Sequence, residues 1–327
     1  EEARAIDGRD PAVWLAEVPI RIRARQFKEA AAAVDRAMGL APESAEVWYQ
    51  KGSVAHVSGD LQGTLAAYTR AIKSKPEHVE ARVARAGLLL DLGRADEVAI
   101  DLTELKRIAP GEPRAAYLRA LLSERSGNLA ETQAALKEVT ELIDPVPIDF
   151  IRYRTQLLML NGLAHFGLNE LEKAKQYLET FQKHQANTPA SKLLAQIYLG
   201  ESNVDRAIDV LENYLRANPA DGQAMTLLGS AYLSKGQSAK ATALMQQALK
   251  SKDNPAHRTV LGLSMIRSGQ GSSGLAELEA AYKQDATQTQ AGVSLVSVYL
   301  RTGRAGKAVA VAEGLVKQQP GNPGFFN

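Results

Sequence analysis

The first pattern that could carry chemistry is a run of glycines late in the sequence. Gly269, Gly271 and Gly274 in GQGSSG have the G-x-G-x-x-G spacing with which dinucleotide-binding loops surround a pyrophosphate. That loop works only between a strand and a helix of a βαβ unit, because the helix N-terminus completes the phosphate site. Here the preceding residues have the apolar spacing of a helix, and Gly269 occupies a loop position that holds glycine elsewhere in the chain. We therefore predict no nucleotide cofactor.

Other chemistry-bearing patterns are also missing from the sequence. It contains no cysteine, which excludes disulfides, thiolate catalysis and cysteine-containing metal sites. Carboxylates follow alternating-charge helical patterns such as ELEKAKQYLE (170–179) and form no isolated acidic pair. The histidines are scattered and form no Glu-flanked i, i+4 pair: His56, His78, His165, His184 and His257. We therefore predict no metal ion, no cofactor and no enzymatic activity.

A fixed interval organises the chain instead. Pro42, Pro76 and Pro110 are 34 residues apart, and the same register reaches Pro219 and Pro320. An interval of this length is typical of an array of small units, each packed on its neighbours. The interval predicts about nine units.

Each unit has the pattern of two helices joined by a tight turn. In residues 44–76, apolar and small side chains recur every three or four residues, and SGD interrupts them. A glycine ends a helix at little cost, and a proline cannot donate the next helical hydrogen bond. The same break recurs as LGR (92–94), SGN (126–128), KGQ (235–237), SGQ (268–270) and TGR (302–304). The sequence therefore predicts an all-α superhelical solenoid of about nine helix-turn-helix repeats.

The regular spacing is interrupted where Pro145 and Pro147 replace the usual short connection. This segment divides an N-terminal array over residues 1–144 from a C-terminal array over residues 145–327, and it is either a tolerated insertion or a bend between the two. The first array has about four repeats after a partial helix, and the second has about five. EEARAIDGRDP has the pattern of the tail of an earlier second helix, and GNPGFFN that of a first helix that is cut. We therefore expect the sequence to be an excerpt from a longer array.

Small residues recur where the two helices of a unit must approach closely. They are Gly52, Ala86, Ala120, Gly162, Ala195, Gly229 and Gly262 in first helices, and Ala30, Ala174, Ala207, Ala241 and Ala308 in second helices. Bulky residues fill the space beside them: Tyr68, Leu102, Leu136, Leu178, Leu211, Met245 and Leu278. With the period, loop glycine and closing proline, this pattern resembles the tetratricopeptide repeat (TPR) family over nearly the whole chain. The resemblance implies stacked helix hairpins that bind other proteins.

In such an array the first helices line the concave side, so residues one turn apart on them form a groove. Polar and aromatic groups there suit an extended peptide or protein segment. The predicted groove residues are Tyr49, Ser53, His56, Arg114, Tyr117, Glu124, Lys192, Gln196, Gln223, Thr226 and Ser230. TPR proteins that capture acidic chaperone C-termini use lysines and asparagines on adjacent first helices, a pattern this chain lacks.

The composition indicates which kinds of partner the chain binds. The net charge is only +2, without the basic excess that a nucleic-acid backbone attracts, and aromatic residues make up 6% of the chain and are spread through the repeats. No apolar run approaches the roughly 20 residues needed to cross a bilayer. We therefore predict a protein or peptide partner, no nucleic-acid partner, and no transmembrane segment in this chain.

The later units resemble a subgroup of the family. Segments such as AAYLRALLSERSGNLAETQAALKEV (115–139) are similar to the TPR lipoproteins of the exosortase/PEP-CTERM system, bacterial envelope proteins associated with exopolysaccharide export. That resemblance implies a periplasmic, outer-membrane-associated scaffold for export or PEP-CTERM protein sorting, with a lipid anchor outside these residues. The alternative is a cytoplasmic TPR adaptor or co-chaperone that binds peptide segments. A third class, an enzyme with an accessory repeat region, would place catalysis outside these residues.

Overall fold

A computed structural model describes residues 9–318, and this range contains helices and turns without a strand. The helices, in chain order, are α1 Pro11–Arg23, α2 Phe27–Leu40, α3 Ala45–Val57, α4 Leu61–Ser74, α5 Val79–Asp91, α6 Ala95–Ile108, α7 Pro113–Arg125, α8 Leu129–Ile143, α9 Ile148–Ile151, α10 Thr155–Gly167, α11 Leu171–His184, α12 Ala190–Gly200, α13 Val204–Ala217, α14 Gly222–Ser234, α15 Ser238–Ser251, α16 Pro255–Arg267, α17 Gly271–Gln284, α18 Thr289–Arg301 and α19 Ala305–Gln318. The predicted helix tail over residues 1–8, the closing Pro320 and the truncated last helix lie outside the described residues.

Apart from the short α9, the described helices follow one another as nine pairs, and one type of turn joins every pair. After α3, the Asp60 N–H donates to the Ala55 carbonyl at 3.0 Å, and the intervening Gly59 has φ +80°. A hydrogen bond reaching five residues back is the mark of a Schellman cap, which requires a left-handed residue just before the donor. The same bond closes all nine turns. The prediction of an all-α array of about nine repeats is thus confirmed.

The left-handed residue of this turn is usually, but not always, the predicted glycine. Six turns have glycine with φ between 71° and 81°, at Gly59, Gly93, Gly127, Gly236, Gly269 and Gly303. The other three have Arg25, Asn169 and Ser202 with φ between 57° and 60°. The cap is therefore fixed by the backbone, and three units form it without glycine.

The closing prolines end the second helices as the sequence predicts. Helix α2 ends at Leu40, two residues before Pro42, and α4 and α6 end two residues before Pro76 and Pro110. The carbonyls of two of these prolines also bind the next unit, because they accept from Trp48 Nε1 at 2.7 Å and from Arg82 Nε at 2.9 Å. These two closing segments thus anchor the first helix that follows them.

The residues predicted to lie between helices are buried. Alanines of the second helices are at most 2% exposed, at Ala30, Ala174, Ala207, Ala241 and Ala308. Their bulky neighbours are at most 4% exposed, at Leu102, Leu178, Leu211, Met245 and Leu278. The small and large positions of the repeat therefore form the helix interfaces, as expected.

Contacts divide the chain into two compact units. Unit 1 comprises the described residues up to Ile151 together with Leu160–Glu170, and unit 2 comprises Arg152–Met159 together with the described residues from Leu171 on. Within unit 1, the largest core cluster comes from α5, α6 and the start of α7: Ala86, Leu89, Leu90, Val98, Leu102, Leu105 and Ala115. Within unit 2 a comparable cluster joins α17, α18 and α19. The predicted array boundary between residues 144 and 145 stays a prediction.

A buried histidine fixes the end of α8 within unit 1. The ring of His165 is fully buried, with Nε2 3.0 Å from Asp144 Oδ1 and Nδ1 2.7 Å from Glu170 Oε2. Asn161 Nδ2 donates to the same Asp144 oxygen at 2.8 Å. Both ring nitrogens are thus engaged by the chain itself, so this histidine holds the fold together.

Candidate functional site

The predicted groove residues of unit 1 lie on two first helices, α3 and α7, and α5 between them continues the same register. Equivalent positions, 34 residues apart, are occupied by Glu46, Tyr49, Ser53 and His56 on α3, by Glu80, Val83, Gly87 and Leu90 on α5, and by Arg114, Tyr117, Leu121 and Glu124 on α7. We call these twelve residues the unit-1 row. Contacts between the helices show which members of the row come together.

The row begins with a hydrogen-bonded pair between α3 and the residue that precedes α5. His78 caps α5, since its Nδ1 accepts from the Ala81 N–H at 3.3 Å. The hydrogen of the ring therefore lies on Nε2, which is 3.3 Å from Glu46 Oε2. The hydrogen bond from His78 outweighs the opposing effect of burial and holds the pKa of Glu46 below its usual value. Glu46 is thus charged, half-exposed and fixed on the surface of the row.

Tyr49 packs beside this pair. Its ring centroid is 5.9 Å from that of Tyr68 and 5.3 Å from that of His78, so the half-buried ring lies between two others. Burial raises the pKa of Tyr49, and the negative charge of Glu80 raises it further. Ser53 Oγ donates to the Tyr49 carbonyl at 3.1 Å, which turns Ser53 toward its own helix. Tyr49 therefore presents a ring held between two other rings.

Arg114 joins α5 to α7 through carboxylates on both sides. Its Nη1 and Nη2 donate to the two Glu80 oxygens at 2.7 Å each, in the bidentate geometry that favours arginine. The same guanidinium donates to Glu112, which caps α7 by accepting from the Arg114 N–H at 3.0 Å. The sequence placed Arg114 in the row, but it did not reveal these two partners. Much of the donor capacity of Arg114 is already used.

The remaining residues predicted in the unit-1 row are more open. Tyr117 is half-buried, and its pKa is raised by burial and then by the charge of Glu124. Glu124 and His56 are exposed near the C-terminal ends of their helices. The structure thus packs the Tyr49 ring against His78 and pairs Arg114 with Glu80 of α5, while His56 and Glu124 stay outside these contacts.

Unit 2 places its predicted groove residues on α12 and α14. Lys192 Nζ lies 2.9 Å from Asp221 Oδ2 and 6.0 Å from the centroid of the Tyr214 ring. Thr226 Oγ1 donates to the Gly222 carbonyl at 2.9 Å, Gln196 and Ser230 are half-buried, and Gln223 is exposed. Among these predicted groove residues of unit 2, Lys192 alone is charged, and it pairs with Asp221, which directly precedes α14.

Asp221 makes several polar contacts beside these groove residues. Its Oδ1 caps α14 by accepting from the Ala224 N–H at 3.0 Å, and its Oδ2 also accepts from the Tyr214 hydroxyl at 2.8 Å. Burial alone would raise the pKa of Asp221, but the bonds from Ala224, Lys192 and Tyr214 outweigh it and leave the pKa below its usual value. Burial and the nearby carboxylate raise the pKa of Tyr214 to about 12.

This lowered pKa predicts an acid-sensitive contribution to stability. Because the carboxylate is favoured by folding, Asp221 stabilises the native state above its ordinary pKa of 3.8, and this contribution is lost as the pH falls through the lower folded value. The melting temperatures of the native chain and of Asp221→Asn should therefore differ at neutral pH and converge in acid. A difference that does not change with pH would contradict this assignment.

The residues that sequence reasoning missed are the partners of the row. Glu80 and Arg114 are 34 residues apart with opposite charge, a signal that could have been read from the repeat itself. The pairing of Glu46 with His78, 32 residues apart, falls outside the repeat interval and required coordinates.

The metal-ligand residues and the glycine motif considered in the sequence can also be placed in the structure. Among them, no group of three or more histidine, cysteine or acidic side chains could hold a metal ion. Gly271 begins α17 and Gly274 lies inside it, with helix α16 before them, so the glycine motif lacks the preceding strand of a dinucleotide loop. Within residues 9–318, no helix combines the length and apolar character needed to span a membrane.

Comparisons with known proteins agree with the repeat architecture. One family model described as "Tetratricopeptide repeat" matches residues 15–63 and 192–256, and a second with the same description matches residues 57–122. Together these matches cover more than half of the chain. The matched ranges include α3 to α6, α14 and most of α7, and hence most of the unit-1 row.

Individual relatives are more distant. The chain is 25% identical over 168 residues to the DnaJ homolog subfamily C member 7 homolog of Schizosaccharomyces pombe, an alignment that covers 51% of this chain and 30% of that protein. A chain of the APC/C hetero-tetramer Cut9–Hcn1 superposes with a TM-score of 0.61 at 13% identity, over 91% of this chain and 57% of that one. PilW, described as a widely conserved type IV pilus biogenesis factor, superposes with a TM-score of 0.51 at 20% identity, over 66% of this chain and 98% of that one. At these identities the superpositions concern the fold alone. On its family-model matches and its nine capped helix pairs, the chain belongs to the tetratricopeptide repeat family.

Proposed function

We propose that this chain is a non-enzymatic scaffold that binds a protein or peptide segment along its first helices. The observation that carries the proposal is the unit-1 row, in which aromatic and charged side chains occupy equivalent positions of α3, α5 and α7 and are held by His78, Glu80 and Glu112. Half-buried tyrosines and a guanidinium held by carboxylates are rigid groups, and rigid aromatic residues and arginines most often dominate binding when a partner covers them. The repeats supply the rigid support.

For the cellular setting we propose the bacterial envelope. The resemblance of residues 115–327 to TPR lipoproteins of the exosortase/PEP-CTERM system supports a periplasmic, outer-membrane-associated scaffold in exopolysaccharide export or PEP-CTERM protein sorting. In that setting a lipid anchor would lie outside residues 1–327. Reading the N-terminus of the full-length protein and fractionating the source cells tests this: a lipobox cysteine and a membrane fraction support the proposal, and a soluble cytoplasmic protein contradicts it.

The alternative is a cytoplasmic TPR adaptor or co-chaperone. The alignment to a protein named a DnaJ homolog favours it, although that match covers only 30% of the relative. The two settings predict different partners for the same surface, an envelope protein in one and a chaperone or its client in the other. Identification of the partner therefore decides between them.

We expect a photo-crosslinking amino acid at position 117 to capture the partner in source cells. Tyr117 is half-buried in the unit-1 row, whereas Tyr153 is 74% exposed and lies outside the row, so position 153 is the matched control. A protein crosslinked from position 117 and absent from position 153 supports the proposal. Equal capture at both positions would contradict it.

With the identified partner, Tyr117→Ala should weaken binding at least tenfold, about 1.4 kcal/mol. The measurement is the dissociation constant by fluorescence anisotropy, with Tyr153→Ala as control. Binding unchanged by Tyr117→Ala would move the recognition surface away from the first helices.

A further inference from the structure

We propose that the unit-1 row receives one bulky apolar side chain of the partner over Gly87 on α5, a side chain of the size of leucine, methionine or phenylalanine. This inference rests on the proposed binding function and specifies the chemistry of the partner. It is carried by a glycine that helix packing does not require and by the apolar side chains that border it.

Gly87 lies inside α5, four residues before the last residue of that helix, Asp91. Glycine in a helix interior destabilises the helix relative to alanine, because it loses more backbone entropy on folding. A Cβ at position 87 would have Leu118 Cδ2 as its nearest neighbour from another helix, at the ordinary contact distance of 4.0 Å. The fold therefore has room for a side chain here, and packing does not explain the glycine.

Other helical glycines show what a packing requirement looks like. At Gly52 on α3, a Cβ would lie 2.5 Å from the Tyr68 ring, and at Gly292 on α18 it would lie 2.7 Å from a leucine side chain of α19. Gly39 is open in the same way as Gly87, but it is the penultimate residue of α2, where the helix already ends. Gly87 is thus a glycine in a helix interior that faces open space.

Apolar side chains border this space, which we call the Gly87 opening. Val83 lies one turn earlier on the same face of α5. Leu118 and Leu121 lie on α7, and Leu121 is the equivalent of Gly87 one repeat later. All three side chains are half-buried and pack against the largest core cluster of unit 1. The opening therefore has apolar walls that are partly uncovered and fixed to the core.

Two polar side chains of the row beside the opening are already engaged. Ser53, the equivalent position on α3, donates its hydroxyl to the carbonyl of Tyr49, and the guanidinium of Arg114 is held by two carboxylates. A polar side chain buried over Gly87 would exchange water for groups that are apolar or already paired, which costs free energy. An apolar side chain gains by leaving water, so the opening selects an apolar occupant.

The aromatic members of the row fit the same occupant. Tyr49 on α3 and Tyr117 on α7 hold equivalent positions one turn before the level of Gly87, on the helices to either side of α5. A segment that crosses the three helices can contact both rings while its bulky residue lies over Gly87. An apolar side chain in a central pocket with aromatic neighbours is the usual form of a dominant binding contact.

The test is selection from a random peptide library displayed on phage, with the full chain immobilised. We expect the enriched peptides to share one leucine, methionine or phenylalanine. A synthetic copy of the leading peptide should bind Gly87→Leu at least tenfold more weakly than the native chain, about 1.4 kcal/mol, because the new side chain occupies the opening. Gly39→Leu adds the same side chain at the open position on α2, outside the row, and should leave binding unchanged.

The melting temperature separates this effect from damage to the fold. Gly87→Ala should melt above the native chain, because alanine favours the helix and its methyl group meets no obstacle. The same variant should bind the peptide at least threefold more weakly, which keeps the test decisive if Gly87→Leu does not fold. A lower melting temperature for Gly87→Ala would show that the fold itself requires the glycine and would overturn the inference.

A double-mutant cycle tests the contact itself. With the shared apolar residue of the peptide replaced by alanine, binding to the native chain should weaken, and the native chain and Gly87→Leu should then bind with equal affinity. A tenfold difference that persists with the alanine peptide would place the apolar residue elsewhere and overturn the inference.

The outcomes separate the two proposals. Enriched peptides that share no bulky apolar residue, yet lose binding on Tyr117→Ala, overturn the apolar preference and keep the binding function. Enriched peptides that bind Tyr117→Ala as well as the native chain overturn the function itself. Equal loss in Gly87→Leu and Gly39→Leu would mean that the effect does not depend on the opening, and this also overturns the inference.

Discussion

Replacing Asp101 by alanine should lower the free energy of unfolding by about 3–5 kcal/mol. Asp101 on α6 is fully buried and accepts from Arg82 Nη1 at 3.1 Å and from Arg85 Nε and Nη2 at 2.8 and 2.6 Å. The side chains of Arg82 and Arg85 are only 9% and 17% exposed. Without the carboxylate, two largely buried guanidinium groups lose their counter-ion, and this desolvated charge is what destabilises the variant.

Chemical denaturation followed by circular dichroism measures this loss. The matched control is Asp96→Ala, in the exposed first turn of the same helix, where a carboxylate contributes at most about 1 kcal/mol through the helix dipole. Similar losses in the two variants would contradict a special role for the buried charge. The prediction concerns folding alone, because Asp101 lies outside the unit-1 row.

The repeat architecture was predictable because it depends on residue types with strong backbone effects. Glycine at six left-handed turns and proline after the second helices define the units without any coordinates. The remaining three turns could not be predicted in this way, because Arg25, Asn169 and Ser202 adopt the left-handed conformation at a steric cost. Their Schellman hydrogen bonds and the packing of the flanking helices stabilise that conformation, and neither can be read from one residue.

The helices and repeat positions of the candidate-site residues could be predicted from the sequence, but the partners of their side chains could not. The 34-residue interval places Tyr49, Arg114 and Tyr117 on the same side of the first helices. It does not reveal that Arg114 is held by two carboxylates, because Glu80 and Glu112 had the same general helical charge pattern as many solvated glutamates. Burial of Asp101 was hidden for the same reason: its two partners lie 16 and 19 residues away on another helix.

The glycine motif illustrates a different kind of limit on sequence reasoning. The spacing of its three glycines suggests one site, but each glycine has a different structural role. Gly269 has φ +81° in a helix cap, Gly271 has no atom of another residue near its missing Cβ, and Gly274 lies where two helices touch. The dinucleotide-like spacing is therefore a by-product of a turn followed by a close helix contact.

Gly274→Ala should consequently destabilise the fold by about 3 kcal/mol, at the upper end of the usual effect of overpacking. A Cβ at this position would lie 2.5 Å from the carbonyl oxygen of Gly262 and 2.9 Å from the backbone nitrogen of Ile266, both on α16. Backbone atoms cannot turn aside as a side chain can, so α16 and α17 must move apart and disturb the core around Leu278.

Gly271→Ala, three residues earlier on the same helix, is the matched control. No atom lies within 4 Å of its Cβ position, so the alanine meets no steric obstacle and should stabilise the helix by up to about 1 kcal/mol. Opposite shifts in melting temperature for the same chemical change would show that the contact between helices, and not helix propensity, requires glycine at position 274. A Gly274→Ala variant as stable as the native chain would mean that the two helices are farther apart than the structure places them.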